Sequence, residues 1–186
     1  MQTSDFKKGV AIKHNGETYV ITTYQFVNPG KGAAFTRAKL KNVKTLKMIE
    51  VTFKSGEQVE EADMKYSKCQ YLYNDGTDYN FMDANSYEQF TMPADVIADQ
   101  GNYMMEGGDV TIVFVDGLPV GLQLPAKMNF KVISSPPGEK GDTATGGTKQ
   151  VEIESGVKVA VPLFIKEGDM IRVNTDTGEY VERVNS

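Results

Sequence analysis

Short runs of β-branched and aromatic residues, cut at close intervals by turn dipeptides, constrain this chain more than any other feature of its sequence. The runs cover 19–27, 33–40, 48–53, 69–73, 79–82, 87–92, 110–115, 120–124, 130–134, 151–154, 158–162, 170–174 and 179–184. Between them stand Asn15-Gly16, Ser55-Gly56, Asn74-Asp75-Gly76, Asp116-Gly117, Glu167-Gly168 and Thr177-Gly178. Residues of this kind favour strands, and these dipeptides favour tight turns between them. Strands so short and so numerous predict an all-β chain of small barrels, because closure removes the exposed edges that short sheets otherwise carry. One helix is predicted from Pro93 to about Gln100, with Pro93 in its first turn and Gly101 ending it.

The charge balance divides the chain. Residues 1–63 carry 10 Lys+Arg and 7 Asp+Glu, residues 64–127 carry 3 and 9, and residues 128–186 carry 7 and 9. Together with the proline at 125 this predicts three barrels in series: 1–63, 64–127 and 128–186. Each holds about 60 residues, near the lower limit for a self-standing core. Short linkers between them imply a fixed, elongated arrangement.

The net charge of -5 argues against a generic basic nucleic-acid binder. Within the first unit, however, residues 31–54 hold Lys31, Arg37, Lys39, Lys41, Lys44, Lys47 and Lys54 against the single acid Glu50. A local basic face of this kind binds phosphate while the whole protein stays acidic; a solvated lysine-rich strand has the same composition. The first nine residues contain no apolar segment like that of a secretory signal, and no apolar run approaches the roughly 20 residues that cross a bilayer. Cys69 is the only cysteine, so an intramolecular disulfide is excluded. A soluble, cytoplasmic protein is expected, without a membrane.

The basic block starts at Asn28-Pro29-Gly30-Lys31-Gly32-Ala33-Ala34-Phe35-Thr36-Arg37, between two alternating runs. Pro29 fixes one backbone angle, and Gly30 and Gly32 permit positive φ. The turn is thus shaped by its neighbours, and Lys31 is left to point outward from a stiff hairpin. Most lysines on turns serve only solubility, and spacing alone does not distinguish the two roles.

A second candidate is Gly141-Asp142-Thr143-Ala144-Thr145-Gly146-Gly147-Thr148-Lys149. It lacks the Gly-Lys-Ser/Thr order and the following helix of a nucleotide phosphate loop, so nucleotide hydrolysis is not expected. Small hydroxyl and glycine residues still allow close approach to an RNA backbone, though a plain surface loop has the same composition. Catalytic machinery is not evident. His14, the one histidine, reads as an exposed turn residue beside Asn15-Gly16, and Cys69 reads as a small residue within a strand. No Cys/His cluster has metal-ligand spacing, and the carboxylates of 75–116 sit at turns without recognisable pairing.

Several ordered blocks resemble the bacterial translation elongation factor P family over essentially the full length. They are Pro29-Gly30-Lys31-Gly32-x-Ala34-Phe35-x-Arg37-x-Lys39-Leu40-Lys41-Asn42, Thr52-Phe53-Lys54-Ser55-Gly56-Glu57, Gln70-Tyr71-Leu72-Tyr73-Asn74-Asp75-Gly76, Phe81-Met82-Asp83 and Tyr87-Glu88-Gln89. They continue through Gly138-x-Lys140-Gly141-Asp142-Thr143-Ala144-Thr145-Gly146-Gly147-Thr148-Lys149, Val161-Pro162-Leu163-Phe164 and Gly178-Glu179-Tyr180. The stretches 42–50 and 98–108 depart from the pattern.

The resemblance implies an SH3-like (KOW-type) barrel followed by two OB-fold barrels, set in an L that mimics tRNA. It also implies a translation elongation factor with no cofactor, no metal and no enzymatic activity of its own, acting as a monomer. Its partners would be both ribosomal subunits, the P-site peptidyl-tRNA beside the E site, and a lysine-modifying enzyme. Lys31 matches the functional tip residue that approaches the tRNA acceptor end and that relatives extend chemically; Pro29, Gly30 and Gly32 support it. Arg37, Lys39 and Lys41 would neutralise tRNA and rRNA phosphates. Gly141, Asp142 and Thr143 match a loop near the E-site codon and anticodon, and Tyr180 and Arg183 match positions facing the small subunit. Ribosomes stalled at consecutive prolines would be relieved by positioning, since orientation supplies up to roughly 7–11 kcal/mol in favourable systems. A general single-stranded RNA binder is the alternative, but it needs exposed aromatics on a basic groove, and the tyrosine-rich middle unit is acidic. A purely structural adaptor is a third reading.

Overall fold

In the computed structural model, which describes residues 1–137 and 147–184, the first sheet is made of β1 (Ala11–His14), β2 (Glu17–Val27), β3 (Phe35–Asn42), β4 (Met48–Lys54) and β5 (Glu60–Glu61). Its order is β4-β3-β2-β1-β5. Asn15 and Gly16 turn β1 into β2 with φ of 50° and 79°, the paired positive values of a two-residue hairpin turn. Alternate residues Ile12, Tyr19, Ile21, Ala38, Leu40 and Phe53 are buried in one cluster with Phe6 and Val59. Two strands lie outside the runs identified from sequence. β1 is four residues long and half polar, and β5 is two glutamates. Both owe their conformation to pairing and not to propensity: β1 pairs with β2 from Ala11↔Val20 to His14↔Glu17, and β5 pairs with β1 through Ile12↔Glu61 and Lys13↔Glu60.

The second sheet comprises β6 (Met64–Asn74), β7 (Asp78–Asp83), β8 (Gln89–Pro93), β9 (Asp109–Val115) and β10 (Leu118–Gln123), in the order β10-β9-β6-β7-β8. The third comprises β11 (Lys127–Ser134), β12 (Thr148–Ile153), β13 (Lys158–Pro162), β14 (Met170–Asn174) and β15 (Tyr180–Val184), in the order β13-β12-β11-β14-β15. The two orders are the same once the strands are numbered within each sheet. The chain is therefore all-β with three small barrels, as the turn spacing predicts. By contact it divides into two compact units, residues 1–68 with 111–121, and residues 69–110 with 122–186. The first unit holds the cluster around Leu40 and a smaller one of Ala11, Ala62 and Val115. The second holds a larger cluster of Phe130, Val132, Val151, Ile153, Val159, Val161, Ile165, Ile171 and Val173, into which Tyr103 also packs.

The predicted helix is shorter and more irregular than its sequence suggests. One α-helical turn, α1 (Ala94–Ile97), passes at Ala98 (φ 52°) into a 3-10 helix, Ala98–Tyr103. Gly101 does not end it. A Cβ there would stand 2.6 Å from the Tyr79 hydroxyl and 2.9 Å from Ile97 Cγ2, so the glycine permits close packing.

The same six-residue turn recurs once in each sheet, between β3 and β4, β7 and β8, and β14 and β15. In the first, Asn42 Oδ1 accepts from the amides of Lys44 (2.9 Å) and Thr45 (3.0 Å), and Thr45 Oγ1 accepts from Lys47 N (3.4 Å). In the second, Asp83 Oδ1 accepts from Asn85 (2.8 Å) and Ser86 (2.9 Å), and Ser86 Oγ from Glu88 (3.3 Å). In the third, Asn174 Oδ1 accepts from Asp176 (2.9 Å) and Thr177 (3.2 Å), and Thr177 Oγ1 from Glu179 (3.3 Å). Each is closed by two backbone bonds between its first residue and its fifth and sixth. The fifth position is left-handed in all three: Leu46 at 60°, Tyr87 at 61° and Gly178 at 76°. Tyr87, read from sequence as the start of a strand, belongs to this turn.

The repeat separates two asparagines that do the same local job. Asn42 is buried and its Nδ2 also donates to Glu17 Oε2 (3.2 Å), whereas Asp83 already shows that a carboxylate closes the turn. Asn174→Asp is expected to change stability by less than about 1 kcal/mol, and Asn42→Asp, which sets two carboxylates together, to cost roughly 2–3 kcal/mol. Urea unfolding of the two variants reads the difference; equal losses would remove Glu17 from the explanation.

Candidate nucleic-acid interface

β2, β3 and β4 continue together beyond β1 and β5 as a three-stranded arm. The register of β2 with β3 runs from Tyr19↔Asn42 to Val27↔Phe35, with an irregularity between Ile21 and Thr23. β1 pairs with β2 only as far as Val20, and the last backbone bonds on that side are between Ile21 and Gly9 (2.8 Å) and Val10 (2.9 Å). β4 accompanies β3 to the pair Phe35↔Lys54. Residues 28–34 lie past the last paired row. The loop is tied at its base, where Ser55 N donates to Ala34 O (3.1 Å) and Gly56 N to Thr3 Oγ1 (3.1 Å).

Lys31 sits in this loop, exposed, with no hydrogen bond or ion pair to any described residue. Gly32 adopts φ 111°, a conformation lysine disfavours, so it provides the bend beside Lys31. Gly30 does not have a positive φ, contrary to the sequence expectation. Pro29 has already fixed the approach, and one left-handed residue is enough to turn the chain.

Strand parity sorts the arm into two faces. Thr36, Ala38 and Leu40 are buried, and Phe35, Arg37, Lys39 and Lys41 point the other way. Arg37 and Lys39 are exposed. Lys41 is half-buried and keeps an interaction within the chain. Arg37 Nε lies 3.5 Å from Glu50 Oε1, both side chains half exposed, and its guanidinium is 5.9 Å from the Phe35 ring centroid. An ion pair that open to water contributes ~0–1 kcal/mol, so a phosphate competes for Arg37 at little cost. Sequence reasoning missed this pairing. The cross-strand register that places Lys39 opposite Glu50 is a tertiary fact.

In the third sheet, Tyr180 is half-buried against the Phe130 cluster. Arg183, three residues on, is exposed with its guanidinium 5.6 Å from the centroid of the exposed Phe164 ring. Lys149 donates from Nζ to Pro136 O (3.3 Å). Gly141, Asp142 and Thr143 lie outside the described residues.

His14 is not the exposed turn residue its neighbours suggest. It is half-buried at the end of β1, edge-on to Tyr19 (centroids 6.2 Å) and Phe53 (5.7 Å). Sequence reasoning lacked the pairing that brings those rings to it. Cys69 is fully buried, and burial first, then the negative charge of Asp83, pushes its thiol up to about 11. Among the described residues no three His, Cys, Asp or Glu side chains converge as a metal's ligands would, and no helix is long and apolar enough to cross a membrane.

Three family models tile this architecture: the elongation factor P KOW-like domain over residues 2–59, its OB domain over 59–122, and its C-terminal domain over 128–183. Elongation factor P of Moorella thermoacetica is 43% identical over 98% of this chain and 99% of its own length. That of Coprothermobacter proteolyticus is 45% identical over 99% of both. That of Pelotomaculum thermopropionicum is 42% identical over 99% of this chain and 100% of its own. The chain belongs to the elongation factor P family, a family of translation factors.

The Cys69 environment has a chemical consequence. With its thiol raised to about 11, only about one molecule in a thousand is thiolate at pH 8. Alkylation by iodoacetamide at pH 8 is expected to be at least about 100-fold slower in the native protein than in urea, measured by intact mass against time. Rapid native labelling would mean the β6–β7 pair opens readily around it.

Proposed function

We propose that this protein binds the ribosome beside the P-site peptidyl-tRNA and stimulates peptide-bond formation, relieving stalls at consecutive prolines. The observation that carries the reading is the arm: a braced hairpin that outruns β1 with β4 alongside it, and one exposed cation in its end loop. In this reading Lys31 meets the terminal nucleotides of the tRNA acceptor end and holds them in a reactive pose. Proline is a conformationally restricted donor, so orientation is what such a step lacks. The ribosome does the chemistry, and the protein is not itself an enzyme.

The remaining roles follow the same reading. Pro29, Gly30 and Gly32 shape the tip. Arg37, Lys39 and Lys41 contact tRNA and rRNA phosphates, with Lys41 the least available because it is half-buried. The loop of Gly141, Asp142 and Thr143 meets the E-site codon and anticodon region, and Tyr180 and Arg183 meet the small subunit. The working division is 1–63, 64–127 and 128–186, in a cytoplasmic monomer without cofactor or metal. An exposed, unpartnered Lys31 also suits attack by a lysine-modifying enzyme, which needs the amine accessible.

The experiment is a translation assay with a template encoding consecutive prolines. Lys31→Ala is expected to bind ribosomes within a few-fold of wild type and to lose the rescue of proline-run synthesis. Undiminished rescue by Lys31→Ala would sink the reading. Intact-mass spectrometry of protein from its own cells reports whether Lys31 carries an added group.

A further inference from the structure

The arm's second face is the part of the molecule that a phosphate-and-tip account leaves unused. Tyr24 and Phe26 are two apart on β2, share one face, and are 47% and 59% exposed. They pair across to Ala38 and Thr36, so they stand on the side opposite Arg37 and Lys39. Tyr24 is edge-on to Phe6 (centroids 6.5 Å, 89°), which holds it. Phe26 has no aromatic neighbour among the described residues.

Past Ile21, no strand lies beside β2, and this edge is open. Residues 22–28, Thr-Thr-Tyr-Gln-Phe-Val-Asn, carry no charge. Exposed strand edges are ordinarily guarded by charge or proline, because an uncharged aromatic edge associates. An unguarded one marks a contact surface. Its occupant is indicated by charge: residues 23–42 carry Lys31, Arg37, Lys39 and Lys41 and no acid. A polyanion is drawn to such an arm, and exposed aromatic rings on an arm of that charge are what unpaired bases stack on.

We propose that Phe26, flanked by Tyr24, is a stacking platform for an unpaired nucleobase of the RNA whose phosphates meet the arm's cations. The two faces meet at the open edge of β2, so one RNA strand passing that edge reaches both. Side chains two apart on a strand stand about 7 Å from each other, twice the ~3.4 Å between stacked bases. One base therefore stacks on Phe26 without displacing Tyr24 from Phe6. This inference rests on the ribosomal reading above and adds a base contact to it.

The test measures affinity of the full-length protein for ribosomes carrying peptidyl-tRNA stalled at consecutive prolines, at several salt concentrations. Phe26→Leu keeps an apolar side chain but removes the ring. It is expected to bind roughly ten-fold more weakly at every salt, with an unchanged salt slope, while Phe26→Tyr stays within about two-fold. Lys39→Gln is expected to do the opposite, lowering the slope by about 0.7–0.9. Ultraviolet irradiation of the wild-type complex is expected to leave a nucleotide adduct on residue 26. Because Phe26 is mostly exposed, thermal unfolding of each variant should match wild type.

Binding by Phe26→Leu equal to wild type overturns the platform and leaves the ribosomal reading standing. So does a loss in Phe26→Ala that leucine restores, which means apolar packing on a protein. A ribosome-independent dimer abolished by Phe26→Leu assigns the edge to a second copy. No ribosome binding by the wild type overturns both readings.

Discussion

Burial of Ala38 and Leu40 decides which side chains the arm offers to the outside. Both are fully buried, and each is one residue away from a cation on β3. Side chains alternate along a strand, so the core contact of the even positions fixes Arg37, Lys39 and Lys41 on the other face. A slip of one residue between β2 and β3 would put the cations in the core and the alanine and leucine in water. The electrostatic character of the arm is therefore enforced by packing on the opposite face of the strand that carries the cations. Thr36 extends the same anchor to the second row from the loop, where it is buried between Phe26 and Phe53 in the register. The loop at 28–34 then begins from a fixed platform.

That anchoring also explains why the arm is stiff where it has no sheet on one side. The irregularity between Ile21 and Thr23 turns Thr22 so that its hydroxyl donates to Lys39 O (3.0 Å), tying the strands where β1 stops. Further out, the 3-10 turn at Thr3–Asp5 supports the β4 end through Thr3 Oγ1, and Phe6 packs edge-on to Phe53 (5.3 Å) as well as to Tyr24. On the reading proposed above, the tip holds another molecule's reactive end in one pose, and such an effect is lost if it moves by about an ångström. The bracing is concentrated at the loop's base, and Lys31 stands exposed beyond it.

Much of this was legible in the sequence, and the rest failed for identifiable reasons. Turn dipeptides gave the hairpins because Asn15-Gly16 and Asp116-Gly117 take positive φ at both residues, a local property. The basic residues of 35–41 were legible as a block of composition, but that they share one face follows from the burial of Thr36, Ala38 and Leu40. β5 was illegible because two glutamates become a strand only through β1. Gly101 read as a helix end and is a packing glycine, since nothing in its neighbours mentions Tyr79. The turn at 42–47, 83–88 and 174–179 was hidden because what repeats is the hydrogen bonding: Asn or Asp first, Ser or Thr fourth, with no residue at the other positions common to all three. Of the candidate site, spacing placed Lys31 in a turn shaped by Pro29 and the glycines, and only the family resemblance gave it a role. Tyr24 and Phe26 were not, because their exposure depends on where β1 ends.

Charge is divided between the two compact units more sharply than the net value suggests. Residues 1–68 with 111–121 carry 12 Lys+Arg against 8 Asp+Glu, and residues 69–110 with 122–186 carry 8 against 17. Between 69 and 110 there are 8 acids and no lysine or arginine. A generic basic protein would bind any RNA with an affinity set by the phosphates it neutralises, and cellular RNA would occupy it. Here a polyanion meeting the second unit meets a net negative charge, and one meeting the first finds four of its twelve cations, Lys31, Arg37, Lys39 and Lys41, on one arm with no acid between them. At physiological salt each charge is felt over only about 8 Å, so the attraction is confined to what the arm itself touches. On the reading proposed above, selectivity then falls to shape, because the partner has to reach Lys31 in the end loop and Arg37 and Lys39 on β3 together. On that reading the acidic balance of the chain, which at first argues against nucleic acid, is what makes so small a basic surface discriminating.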